Sequence, residues 1–174
     1  LSLYRKLEEG KDAAAHGKTG AGLRGIEIKD RTVGIIGTGA IGGYYGAKLS
    51  KAGFEVHFLL HSDYEYVADN GLTVDSCDGA FRLAAPAIYD DTRKMPQCDV
   101  VIVALKTTNN QLLPTLLTPL LKPDTIVLLI QNGIGVEAEA EKMMPGIQLA
   151  AGLAFICSAK VGPGHINHQF YGNI

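Results

Sequence analysis

The segment TVGIIGTGAIGGYYGA, residues 32–47, constrains this chain more than any other. Its apolar, β-branched opening (Val33, Ile35, Ile36) reads as a strand. The spacing Gly37, Gly39, Gly42 follows at once, and then an apolar pattern of helical period begins. Strand, glycine turn and helix in that order form a seat for a dinucleotide pyrophosphate. Gly37 permits the tight turn, Gly39 has no side chain to hold off a diphosphate, and Gly42 lets the helix pack close to the sheet. Thr38, Ala40 and Ile41 complete the turn, and the first N–H groups of the helix face the anion.

Strands and helices alternate after this point. Residues 41–51 form the first helix, ending at Gly53, and residues 55–60 a second strand, which gives a βαβ unit. A short helix at 63–70 is closed by Gly71, and a small hairpin joins 72–75 to 81–83 around Ser76-Cys77-Asp78-Gly79. Residues 99–105 are almost uniformly apolar, as a strand buried on both faces requires. Residues 107–121 read as helix interrupted by Pro114 and Pro119, 125–130 as strand and 136–144 as helix. Two further strands are expected at 148–158 and 165–170, around Gly162-Pro163-Gly164. The pattern predicts a Rossmann-type, doubly wound α/β fold with a mostly parallel sheet and helices on both faces. Ahead of it, residues 1–16 have the spacing of a short amphipathic helix, followed by a glycine-rich arm. The expected division is therefore 1–31 for helix and arm, and 32–174 for the dinucleotide-binding domain.

The chain has 174 residues, 47% of them hydrophobic and 20% charged, enough for one domain with a substantial core. Its net charge is −2 and it has no basic run, which argues against a nucleic-acid partner. No apolar run approaches the ~20 residues that span a bilayer, and the charged N-terminus lacks a secretory core. Cys77, Cys98 and Cys157 are odd in number and lack metal-ligand spacing, so reduced thiols, no metal and a cytoplasmic location are expected.

Ligands of such sheets bind outside the C-terminal ends of the strands. The residues at those positions are Thr38 to Ile41, then His61 and Ser62, Lys106 and Thr107, and Asn132 and Gly133. NAD-specific domains usually place an acidic residue after the second strand, where this chain has Leu60-His61-Ser62. NADP is therefore favoured, with NAD as the alternative because Asp63 follows closely. His61 can also be an ordinary exposed histidine and Lys106 a solvated strand end. Asn132 suits a ribose hydroxyl or a substrate oxygen, and equally an Asn-Gly turn. His165 and His168 point to opposite faces of a strand, and Lys160 sits in a turn without an evident partner; none is given a catalytic role.

From Gly37 onward the chain resembles the N-terminal domain of the ketopantoate reductase (2-dehydropantoate 2-reductase) family. The resemblance rests on GTGAIGGYYGAKLSKAG (37–53), VHFLLHSDYE (56–65), VVIVALKTTNNQLL (100–113), QNGIG (131–135) and GLAFICS (152–158). It implies NADPH-dependent reduction of ketopantoate to pantoate, on the route to pantothenate. It also implies that Gly37 to Gly42 hold the pyrophosphate, that Lys106 lies beside the cofactor, and that Asn132 stands between nicotinamide and substrate. Many members carry arginine where this chain has His61. The family's general-acid lysine and its substrate-binding glutamate and serine belong to a helical C-terminal domain beyond Ile174, so little turnover by this chain alone is expected.

The leader LSLYRKLEEGKDAAAHGKTGAGLRGIEIKDRTVGIIGTGAIG resembles the segment that leads into the cofactor domain of D-2-hydroxyacid dehydrogenases. The expectation is a recombined, engineered chain joined near residues 37–42, a natural fusion being the lesser reading. The main functional reading is an NADP(H)-binding domain of ketopantoate reductase type. Its alternatives are a Rossmann scaffold without catalysis, a D-2-hydroxyacid dehydrogenase-like cofactor domain, and a reductase completed by a partner chain. A homodimer is the expected assembly.

Overall fold

The computed structural model describes residues 31–174. The helix and arm expected ahead of the first strand lie, but for Arg31, outside the described residues. In chain order the elements are β1 (Thr32–Ile36), α1 (Ala40–Lys51), β2 (Glu55–Leu59), α2 (Tyr64–Asn70), β3 (Leu72–Ser76), β4 (Phe81–Leu83), β5 (Ala87–Tyr89) and β6 (Cys98–Val103), then α3 (Leu113–Leu117), β7 (Leu121–Leu129), α4 (Val136–Met143), β8 (Gln148–Ala151), β9 (Phe155–Gly162) and β10 (His165–Asn173).

Six strands form one parallel sheet in the order β5-β2-β1-β6-β7-β8. Successive side chains of its central strands enter opposite cores, because a strand alternates faces with period two. Ile35, Ile102 and Ile130 join Tyr44, Tyr45 and Ala47 of α1 on one side. Ile36, Val101, Val103, Val127 and Leu129 join Leu113, Leu117, Val136 and Ala140 on the other. Burial on both faces explains the near-continuous apolar run at 99–105. Strand order reverses between β1 and β6, and a crevice opens beyond their C-terminal ends.

Two expectations are corrected and a third is made finer. Residues 148–158 are two strands that belong to different sheets. β8 closes the parallel sheet, whereas β9 pairs antiparallel with β10, which runs parallel to β3. With β4 they make a second sheet, β4-β3-β10-β9, packed on α1. A strand solvated on one face alternates in exposure: Ile156 and Ser158 face α1, while Phe155 and Cys157 are exposed. Residues 107–121 are interrupted, as the prolines imply, into three short segments. Short 3₁₀ segments at Thr107–Leu112 and Thr118–Leu120 flank α3, and Pro114 and Pro119 each sit at the start of a helical segment, where a missing N–H costs nothing. Finally, Lys160 lies in β9 and pairs with Asp63 at 2.6 Å, so it is neither in a turn nor without a partner.

Candidate functional site

The turn after β1 is built from backbone alone. Gly37 has φ +96, and a Cβ there would come within 2.7 Å of the Leu105 nitrogen. At Gly42 a Cβ would meet the Gly37 carbonyl oxygen at 2.3 Å. Both positions are thus closed to a side chain by the fold itself. Gly39 differs: a Cβ there would find nothing within 4 Å. Gly39 caps α1 without a side-chain bond, and no acidic residue occupies the first helical turn. The N–H groups of Ala40, Ile41 and Gly42 have no partner within the helix, so the helix presents partial positive charge to the space beside Gly39.

Thr38 and β2 are joined directly, its hydroxyl donating to the Leu59 carbonyl at 2.8 Å. Beyond Leu60, His61 and Ser62 are exposed, while Asp63 is buried. The Asp63 carboxylate accepts from the Lys160 ammonium (2.7 Å), the Gly164 N–H (2.9 Å) and the Ser62 hydroxyl (2.9 Å). Burial pushes this carboxyl up, but the bonds from Lys160, Gly164 and Ser62 outweigh it and hold the group below the ordinary aspartate value.

The third strand end contributes Lys106, which is exposed and precedes the 3₁₀ segment. Its neighbours Ala104 and Leu105 are the backbone against which Gly37 turns, so the β1 and β6 ends converge. After β7, Asn132 is exposed in a loop that enters α4 through Gly133 and Gly135, both at positive φ. Ile41 and Asn132 line one cavity of about 80 Å³, together with Gln131 and Ile156. A larger cleft of about 390 Å³ adjoins it, sharing Gln131, Gly152 and Leu153 and reaching to Val136 and Glu137. The α1 start and the β7 end, 91 residues apart by Ile41 and Asn132, therefore share a wall. His61 and Ser62 line neither cavity and stand at the β2 side of the crevice.

Sequence reasoning passed over Gln131. Its amide donates to the Leu105 carbonyl and to Asn110 Oδ1, both at 2.8 Å, and Asn110 in turn donates to Glu139 of α4 at 3.1 Å. The Gln131 Oε1 is buried and has no hydrogen-bond partner among the described residues. A buried acceptor left unpaired is costly, and one on the wall of two cavities waits for a donor. Its position directly after an apolar strand was the available signal. Ser158 was missed as well; its hydroxyl donates to the Ala40 carbonyl at 3.1 Å and ties the second sheet to the first turn of α1.

The arrangement suits an elongated anion-bearing ligand: diphosphate at Gly39 and the α1 N-terminus, one arm toward His61, the other toward Gln131 and Asn132. Comparisons with known proteins show which family the chain resembles. Residues 33–174 match the family Ketopantoate reductase PanE/ApbA. The match takes in β1, so family likeness begins ahead of the glycine turn where the resemblance was placed. A 2-dehydropantoate 2-reductase of Nostoc sp. is 57% identical over 147 residues, 84% of this chain and 46% of that protein. The crystal structure of 2-dehydropantoate 2-reductase from Geobacter metallireducens superposes with a TM-score of 0.78 at 39% identity, covering 81% of this chain and 47% of the other. A D-mandelate dehydrogenase in ternary complex with NADH and anilino(oxo)acetate is similar at TM-score 0.70 and 26% identity, over 79% and 45% of the two chains. This chain spans about half the length of the relatives it matches.

Proposed function

The chain belongs to the ketopantoate reductase family, and on that premise we propose that it binds NADPH as the cofactor half of a 2-dehydropantoate 2-reductase. The observation that carries the reading is Gly39: the one glycine of the motif whose side-chain position is open, at a helix start with neither a side-chain cap bond nor an acidic residue in its first turn. Protein packing gives no reason for a glycine there, and a diphosphate does.

Bound nicotinamide would supply the hydride that reduces the carbonyl carbon of a 2-oxo acid to a secondary alcohol. The chain's own residues do the holding. The N–H groups of Ala40, Ile41 and Gly42 take the pyrophosphate, with Gly37 and Gly42 keeping the turn tight and Thr38 fixing it to β2. His61 and Ser62 face the adenosine ribose. Support for NADPH over NADH comes from Asp63, whose carboxylate is committed to Lys160, Gly164 and Ser62. No ribose hydroxyl can claim it, and it is screened from a 2′-phosphate. Lys106 lies beside the cofactor, and Asn132 stands between nicotinamide and substrate, where its amide orients the carbonyl oxygen. The proposal extends to a cytoplasmic homodimer, for which the exposed Leu153, Phe155, Phe170 and Tyr171 offer an apolar face. A monomer mass at micromolar concentration would refute the dimer.

The first experiment is a titration with NADPH and then NADH, followed by nicotinamide fluorescence and by the shift in melting temperature. Tighter NADPH binding is expected; no binding of either at millimolar concentration overturns the reading. In the same preparation, residues 1–174 by themselves should show no ketopantoate-dependent NADPH oxidation, because the expected proton donor is not among the residues matched.

A further inference from the structure

We propose a zinc-type divalent cation site at Cys77, Asp78 and His168, where the β3–β4 turn meets β10. The Cys77 thiol, an Asp78 carboxylate oxygen and a His168 ring nitrogen lie within 4.8 Å of one another. The sulfur stands 3.8 Å from His168 Nδ1. Ligand atoms on a tetrahedral zinc ion are about 3.3 to 3.6 Å apart, given Zn–S of about 2.3 Å and Zn–N and Zn–O of about 2.0 to 2.1 Å. The sulfur–nitrogen pair needs a contraction of about 0.2 to 0.5 Å and no pair more than about 1.5 Å, a movement open to the exposed β3–β4 turn.

The histidine is prepared for the task. His168 is buried, and its ring stacks on Tyr44 with centroids 4.2 Å apart. Its Nε2 lies 3.0 Å from the Tyr171 carbonyl, which can only accept, so Nε2 carries the proton. The lone pair is therefore on Nδ1, the nitrogen that faces Cys77. A histidine ligand whose other nitrogen donates to a backbone carbonyl is the usual second-shell arrangement of a metal site. Tyr171 is the one non-glycine of positive φ (68°) among the described residues, and it sits in a bulged stretch of β10. In the metal-free form the Ser76 hydroxyl, 2.8 Å away, donates to Nδ1 and holds the ring at this angle. Its rotor turns aside when the ion takes the lone pair. Lys48, 3.9 Å from Asp78 and itself exposed, balances the carboxylate until then.

Thiolate and carboxylate together neutralise a dication, and the thiol loses its proton on binding. Three protein ligands leave the fourth position to water. The site lies between the β3–β4 turn and the middle of β10; none of its three ligands lines the cavities beside Gln131, and it is independent of cofactor binding. Chain spacing concealed it, since Cys77 and His168 are 91 residues apart.

Cobalt(II) titration of the full chain, reduced with a phosphine, tests it. One equivalent should bind with a thiolate-to-cobalt charge-transfer band and the intense visible bands of tetrahedral coordination, and zinc should displace it. Cys77→Ser should abolish the charge-transfer band, and Asp78→Asn should weaken binding by roughly tenfold. Both positions are exposed, so the variants fold. Cys157→Ser, at the other exposed thiol, should change nothing. Absence of stoichiometric binding, a band that survives Cys77→Ser, or a band lost in Cys157→Ser would each overturn the proposal. NADPH affinity should be the same in all these variants, which keeps this test separate from that of the cofactor.

Discussion

Two helices begin at the same edge of the parallel sheet, and they begin differently. α1 follows β1 with Gly39 at its cap, no side-chain cap bond and no acid in its first turn. α2 follows β2 with Asp63 at its cap and Glu65 in its first turn, and Asp63 is itself saturated by Lys160, Gly164 and Ser62. Both starts carry the positive end of a helix dipole. Neither start has a side-chain cap bond, but α2 places the acidic residues Asp63 and Glu65 at its positive end, whereas α1 has no acid there. The difference teaches where a ligand is expected: at the helix start that the chain leaves incomplete.

Substitution at the glycines should break the comparison most severely. Gly42→Ala places a methyl group 2.3 Å from a backbone oxygen that cannot move without opening the turn. A loss of about 3 kcal/mol is expected, read as a drop in denaturant midpoint. Gly39→Ala is the counterpart. With open space around the new methyl group, stability should change by less than about 1 kcal/mol, while NADPH affinity falls at least tenfold, about 1.4 kcal/mol. Equal stability losses at the two positions would mean that Gly39 serves packing, and the ligand argument would fail.

At the other helix start the expected loss is smaller. Asp63→Asn leaves the Lys160 ammonium without its partner, but Lys160 is about one-third exposed and can hydrate, so about 2 kcal/mol is expected. The pH dependence has a definite sign. The folded-state pKa of Asp63 lies below its unfolded value, since bonds to Lys160, Gly164 and Ser62 overcome the opposing effect of burial. Its contribution is therefore complete above the ordinary aspartate pKa of about 3.9 and is lost as pH falls through the lower, folded value. A melting profile taken into acid should fall more steeply for the wild-type chain than for Asp63→Asn. Parallel curves would show that the carboxylate is not what holds the second sheet to α2.

How much of this the residues disclose depends on the range of the interaction. The glycine turn was legible because its reasons lie within fifteen or so neighbouring residues: an apolar strand, a turn and a helical period. Strand-end candidates such as Lys106 and Asn132 followed from topology, since parallel strands deliver their C-terminal ends to one edge. The second sheet was not legible, because the pairing of β10 with β3 joins segments that local pattern cannot match. Asp63 could be suspected of binding ribose only while Lys160, 97 residues away, was unknown to it. The alternation of exposure along β9 was present in Phe155, Ile156, Cys157 and Ser158, but it was read as a continuation of β8.

Gln131 provides the finest test of an incomplete site, because its defect is a single atom. Two of its hydrogen bonds are made inside the protein, to Leu105 and Asn110, and its Oε1 has none among the described residues. Gln131→Ala removes all three features, so the apo chain should lose some stability through the freed Leu105 carbonyl. If the orphaned oxygen accepts from a ligand donor, the NADPH-induced rise in melting temperature should shrink as well, by about 1 kcal/mol or roughly fivefold in affinity. Asn110→Ala helps separate the two effects, since it removes the Gln131–Asn110 bond, together with that of Asn110 to Glu139, while leaving the Leu105 bond and Oε1 on the cavity wall. An NADPH response that shrinks in Gln131→Ala but not in Asn110→Ala assigns the acceptor to the ligand. A response unchanged in both would place the orphan outside the site and confine the incompleteness to the start of α1.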